Sequence, residues 1–282
     1  HASSEKNTAI GHDALTALNN ASSICNTAVG NNSLGALTNA AYNVAVGSNS
    51  GDAITTGVRN TAVGHGSLTG TDDGHDNTAL GNSALAANCG DNNVAVGKDA
   101  LTVFTGSDAV AVGNDALKAC TTGTANTAVG SLALDACIDG ANNTAMGHAA
   151  LSTDCNSNNT MVGYKAGMSY TGGNSTAIGA SALINDVDGT ENTAVGYQSL
   201  YYTNSGDYNC ALGYNSGIYR VGDSGVLIGH SAGTYSGNAD HCIAIGKNAL
   251  LGDYFTDATC DTQAGGATDQ VTCNSSSTIK VG

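Results

Sequence analysis

The sequence predicts an all-β fold, a single parallel β-roll solenoid of about fifteen coils at intervals of 16 or 17 residues, apart from a first interval of 19. Three observations carry that reading. The pattern Asn-Thr-Ala-Val-Gly-x-x-Ala/Ser-Leu recurs fifteen times, with its glycine at 11, 30, 47, 64, 81, 97, 113, 130, 147, 163, 179, 196, 213, 229 and 246. A fixed short period of this kind is the signature of a solenoid. The composition excludes the obvious alternatives: 39 of 282 residues are Gly, Pro is absent and 11% of residues are charged. That much Gly, Asn and Thr is incompatible with a helical bundle, and collagen would need proline. The residues before each glycine are β-branched or otherwise strand-forming, and a 17-residue unit is too short for a strand, a helix and two turns.

Positions are counted from the repeat glycine as zero. Position −1 is a large apolar residue throughout, and −3 is Thr, Val, Ile or, once, Cys210. These two share one face of an extended strand, because side chains alternate with period two. The other face carries Asn at −4 in eleven copies and Ala at −2 in thirteen. Each coil is therefore expected to hold two strands, −4 to −1 and about +3 to +6, joined by tight turns. The −3, −1 and +4 side chains are expected to fill a thin interior, and the Asn at −4 to stack as an amide ladder. The Ala row at −2 is then a flat outer face suited to close side-by-side packing of chains. Parallel ladders about 4.8 Å apart would make a rod of roughly 70 Å. The lack of proline leaves the backbone N–H groups available to neighbouring coils.

Residues 1–251 form one repeat domain on this reading, and 252–282 a long loop with a terminal strand, a junction at which a C-terminal domain would follow. Position +4 is Leu in eleven coils and Gly in four, at Gly51, Gly167, Gly217 and Gly233. A missing Leu leaves a void. The expected fillers are Ile54, Met168 or Tyr170, Ile218 or Tyr219, and Tyr235, turned inward.

Charge and motifs narrow the function. A net charge of −15 repels phosphate backbones and anionic lipid, so nucleic acid is excluded as a partner. No run of 18 apolar residues exists to insert in a membrane. The opening HASSEKNTAIGHD lacks a basic-then-apolar signal and reads as a processed product or a piece of something longer. No phosphate loop, Cys-x-x-Cys or His-Glu-x-x-His is present. The chain is accordingly read as no enzyme, with no cofactor and no metal. Asp13 with Asn32, and Asp99 with Asp115, would stack on adjacent coils, and a glycan-cleaving spike would need two carboxylates a few ångströms apart. Like charges on a ladder more often form a solvated edge. His12, His65, His148 and His230 share position +1 and read as a polar outer row. Asp72-Asp73-Gly74 and Asp186-Val187-Asp188-Gly189 read as turns rather than calcium loops.

Two residue types are unevenly used. Ten of the eleven Tyr lie at 164 or beyond. Tyr164, Tyr197, Tyr201, Tyr202, Tyr208 and Tyr214 form the candidate receptor surface, since Tyr offers contact area at low entropic cost. The nine Cys are an odd number. Cys120 and Cys137 share position +7 of consecutive coils, within the 4.4–6.8 Å Cα window of a disulfide, with Cys155 at +8 as the competing partner of Cys137. Cys260 and Cys273 flank a Gly-rich excursion that a bridge would close.

The copies NTAVGHGSL (60–68), NTALGNSAL (77–85) and NTAVGYQSL (192–200) resemble the repeats of trimeric autotransporter adhesin heads and, more closely, those of bacteriophage tail fibres. The resemblance covers about residues 7–251. It implies a left-handed roll assembled as an obligate homotrimer, exposed outside the cell or on a virion surface. The implied function is that of a fibre or adhesin displaying a surface for a cell-surface glycan or protein receptor. A cellular adhesin or extracellular filament subunit is the competing function within the same fold. The closing SSSTIKVG (275–282) resembles the stretch that precedes a self-cleaving C-terminal chaperone in many phage fibres.

Overall fold

The computed structural model describes residues 6–20, 22–236 and 240–250. The segment 252–282, with Cys260 and Cys273, lies outside the described residues. Among those described, the fold is an all-β parallel solenoid of about fourteen turns with no helix, one three-residue strand per repeat. The chain divides into two compact units, 1–158 and 159–282. The first holds β1 (Thr8–Ile10), β2 (Thr27–Val29), β3 (Val44–Val46), β4 (Thr61–Val63), β5 (Thr78–Leu80), β6 (Val94–Val96), β7 (Val110–Val112), β8 (Thr127–Val129) and β9 (Thr144–Met146). The second holds β10 (Thr160–Val162), β11 (Thr176–Ile178), β12 (Thr193–Val195), β13 (Cys210–Leu212), β14 (Val226–Ile228) and β15 (Ile243–Ile245). Within each unit every strand pairs in parallel with the next, equivalent residue to equivalent residue: Thr27 with Val44, Ala28 with Ala45, Val29 with Val46.

The expected second strand is absent. From +1 to +6 the backbone turns, because +2 and +4 are left-handed: Asn32 has φ 55° and Leu34 φ 48°. Coil-to-coil hydrogen bonds nevertheless continue through the turn, Asn32 N–H to the His12 carbonyl at 2.8 Å and Leu34 N–H to the Ser50 carbonyl at 3.0 Å. The repeat glycine sits at φ values such as 141° at Gly81, outside the range of L side chains, and a methyl there would lie 2.5 Å from the Gly97 carbonyl oxygen. The strictness of the repeat at this position follows from both constraints.

The strand faces are inverted relative to expectation. Ala at −2 points inward, with Ala28, Ala45, Ala79 and Ala95 fully buried, while −1 is outward: Val46 is 37% and Leu80 46% exposed. The −3 residues are likewise half-buried or exposed. The reason is width. Leu at +4 reaches across the coil, as at Leu34, Leu68 and Leu85, all at 0% exposure, and leaves room only for a methyl on the strand opposite. Where the strand residue grows, +4 shrinks. A Cβ on Gly167 would meet the Met161 sulfur at 2.8 Å, and one on Gly233 the Leu227 Cδ2 at 2.5 Å. Interior volume is conserved by exchanging large and small across the coil.

Position +7 completes the interior, with Leu37, Ile54, Phe104 and Tyr170 fully buried or nearly so. Ile54 and Tyr170 do turn inward in the Gly51 and Gly167 coils, as expected. Tyr219 and Tyr235 do not: they are 44% and 48% exposed, and Ile218 stays half-buried. In those coils Leu227 fills the space, its methyls 2.6 Å from a Cβ placed on Gly217. Arg220 and Ser236 take the +7 interior places.

The Asn ladder is present and buried. Asn43 Oδ1 accepts the Asn60 N–H at 2.8 Å, and Asn60 Oδ1 accepts the Asn77 N–H at 2.9 Å. Each Nδ2 donates to a carbonyl of the next coil, Asn43 to Gly57 and Asn60 to Gly74, both at 2.8 Å. These amides satisfy backbone groups that the turn before the strand would otherwise leave unpaired inside the coil.

Candidate recognition surface

The second unit gathers its tyrosines into two stacks. At +1, Tyr197 stacks on Tyr214 with ring centroids 5.2 Å apart and planes 18° from parallel. Tyr214 stacks in turn on His230 at 5.1 Å. At +6, Tyr202 stacks on Tyr219 at 5.2 Å and 4°, and Tyr219 on Tyr235 at 5.2 Å and 11°. Tyr201 meets Tyr202 edge-on at 4.4 Å. The stacking follows from the fold, since residues in equivalent places of adjacent coils lie one strand spacing apart. The proximity of Tyr201 raises the Tyr202 hydroxyl above its ordinary pKa.

Of the sequence candidates, the structure brings together Tyr197 with Tyr214 and Tyr201 with Tyr202. Tyr208 is 57% exposed and outside both stacks. Tyr164, 53% exposed, has Lys165 Nζ 5.3 Å from its ring centroid. Tyr219, Tyr235 and His230 were not among the candidates, although their equivalence at +6 and +1 is legible in the repeat. The rings Tyr214 and Tyr219 are each covered on both faces by neighbours. The stacks therefore offer ring edges and a row of hydroxyls rather than open faces, a surface suited to hydrogen bonding.

The other exposed feature is apolar. None of the −1 residues is buried. In the first unit Ile10, Val46, Leu80 and Met146 are 60%, 37%, 46% and 44% exposed; in the second, Ile178, Leu212 and Ile245 are 43%, 46% and 66%. Within each unit these side chains form an outward row at strand spacing.

The acidic candidates resolve into structural contacts. Asp99 pairs with Lys98 Nζ at 2.5 Å, and Lys118 Nζ lies 2.9 Å from Asp115 and 3.9 Å from Asp99. Both stacked carboxylates thus face ammonium groups. Asp13 pairs with His12 at 2.7 Å. Asp186 is an interior residue at +7, accepting from Gly189 N–H at 3.0 Å and Asn192 Nδ2 at 3.1 Å, and burial pushes its pKa up to about 6. The Asp72 carboxylate accepts the Thr55 hydroxyl. No group of three or more His, Cys, Asp or Glu among the described residues is arranged to hold a metal ion, and no helix there is long and apolar enough to cross a membrane.

Arg220 is fully buried, with no carboxylate among the described residues in hydrogen-bond contact. Its Nε donates to Asn209 Oδ1 at 2.5 Å, Nη2 to the Asp223 carbonyl at 2.8 Å and Nη1 to Ser236 Oγ at 3.3 Å. Desolvation lowers its pKa from the usual value. The seven cysteines described are free thiols. Cys120 and Cys137 are therefore not bridged to each other, and the sulfur of Cys137 instead lies 3.2 Å from that of Cys155.

Fold and surface together define a parallel β-solenoid with an apolar ridge and tyrosine stacks. Set against known protein families, characterised proteins and solved structures, the chain matches none.

Proposed function

We propose that this chain is a structural fibre or adhesin segment of an extracellular appendage or of a phage or virus tail fibre. It assembles as a left-handed homotrimer and displays a receptor-binding surface. The observation that carries the proposal is the row of outward −1 side chains within each unit, since a coil this thin buries too little apolar surface to leave such a ridge in water. The Ala row that composition singles out for the interface is interior, so contact between chains runs through −1 and −3. The tyrosine stacks of the second unit are the receptor-facing surface, their hydroxyl rows matched to a glycan or protein partner. On this reading the chain catalyses no reaction, and its place is outside the cell or on a virion surface.

Light scattering coupled to size exclusion tests the assembly. The wild-type chain should elute at the mass of three copies, and Leu80→Asp combined with Met146→Asp at the mass of one, with an unchanged far-ultraviolet spectrum. A monomeric wild type, or a variant that remains trimeric, overturns the assignment.

A further inference from the structure

The interior place filled by Leu37, Ile54, Thr71 and Phe104 in other coils of the first unit is filled by sulfur in three successive ones. Cys120 and Cys137 occupy +7 and are fully buried. In the next coil the inward residue is +8: Asp154 is exposed and Cys155 is 4% exposed. That one-residue shift decides which sulfurs meet. Cys155 Sγ lies 3.2 Å from Cys137 Sγ, whereas Cys120 Sγ is engaged by the Gly123 carbonyl at 3.6 Å and Asn126 Nδ2 at 3.9 Å.

We propose that Cys137 and Cys155 form a disulfide that staples adjacent coils of the first unit, leaving Cys120 reduced. The two sulfurs already lie inside van der Waals distance, at 3.2 Å against a bonded separation of roughly 2.0 Å. The chemistry needs a two-electron oxidant, and a small-molecule disulfide such as oxidised glutathione supplies it. The thiolate of Cys137 attacks one glutathione sulfur and expels the first thiol. The thiolate of Cys155 then attacks the Cys137 sulfur of the mixed disulfide and expels the second. Two thiols are oxidised to one disulfide, and one disulfide is reduced to two thiols. Burial pushes Cys120 up to about 12 and keeps it protonated. Because both sulfurs are buried, the bond closes while the coils assemble.

Peptide mapping decides the pairing. The chain is refolded from the reduced, unfolded state in a mixture of reduced and oxidised glutathione, then denatured, alkylated with iodoacetamide and cleaved before aspartate. Cleavage before Asp115, Asp135, Asp139, Asp154 and Asp186 places Cys120, Cys137 and Cys155 in the separate peptides 115–134, 135–138 and 154–185. The expected products are 135–138 joined to 154–185, separated on reduction, and 115–134 alkylated at Cys120. Full alkylation of Cys137 and Cys155 overturns the proposal, as does a peptide joining Cys137 to Cys120. In Cys155→Ser the cross-link should vanish and Cys137 should be alkylated in full, and Cys137 found bridged elsewhere would count against the pair.

Discussion

The exchange of large and small residues across the coil makes a prediction that a double-mutant cycle can measure. Met161 at −2 lies against Gly167 at +4, where the other coils with Leu at +4, such as those of Ala177 with Leu183 and Ala194 with Leu200, carry the opposite order. Met161→Ala alone removes a fully buried side chain and leaves a void, a loss of about 3 kcal/mol. Gly167→Leu alone sets a Cβ 2.8 Å from the Met161 sulfur. Overpacking of this kind, with Leu placed at φ 60°, costs about 3 kcal/mol. The double variant rebuilds the arrangement of the neighbouring coils, in which Leu183 and Leu200 already take φ 51° and 50°. Only the left-handed backbone cost of about 1 kcal/mol should remain. Independent effects would sum to about 6 kcal/mol, so the coupling should be about 5 kcal/mol. Urea unfolding followed by circular dichroism on the wild type, both single variants and the double gives the four free energies. A double variant as unstable as the sum of the two would refute the idea that −2 and +4 share one volume.

Two further outcomes follow from buried polar groups. Asn60→Ala leaves the Asn77 N–H and the Gly74 carbonyl unpaired inside the coil, and should lower stability by about 2–5 kcal/mol in urea titrations, whereas a loss below about 0.5 kcal/mol would mean the ladder is dispensable. Asp186, with its pKa raised to about 6, holds a proton in the folded chain that the unfolded chain has released, so stability should fall as pH climbs from about 4 to about 6 and level off above. The full drop is about 3 kcal/mol, and Asp186→Asn should abolish that part of the slope; parallel wild-type and variant pH profiles would show that the carboxyl does not titrate as argued.

The architecture was legible in the residues because its cause is local and repeated. A glycine every 16 or 17 residues after the first interval marks a backbone geometry that side chains cannot adopt, and the Asn before eleven of the strands marks a ladder that needs an amide at a fixed place. Alternation along the strand likewise divided −3 and −1 from −4 and −2. Which face turns inward was not legible. Apolar size suggested Val and Ile for the interior, but the space inside a coil is set by its width, and Leu at +4 leaves only a methyl opposite. The signal was nonetheless present in the two coils where Met161 accompanies Gly167 and Leu227 accompanies Gly233.

The tyrosine and cysteine groupings divide in the same way. Equal offsets from the repeat glycine put Tyr197 over Tyr214 and Tyr202 over Tyr219, because equal positions in a solenoid stack. The sulfur contact broke that rule, since Cys137 is at +7 and Cys155 at +8. Sequence by itself determined the repeat, the strand and the amide ladder, all of which depend on short-range backbone geometry. Only the tertiary structure decided which side chains are inside, because that depends on the distance between one wall of the coil and the other.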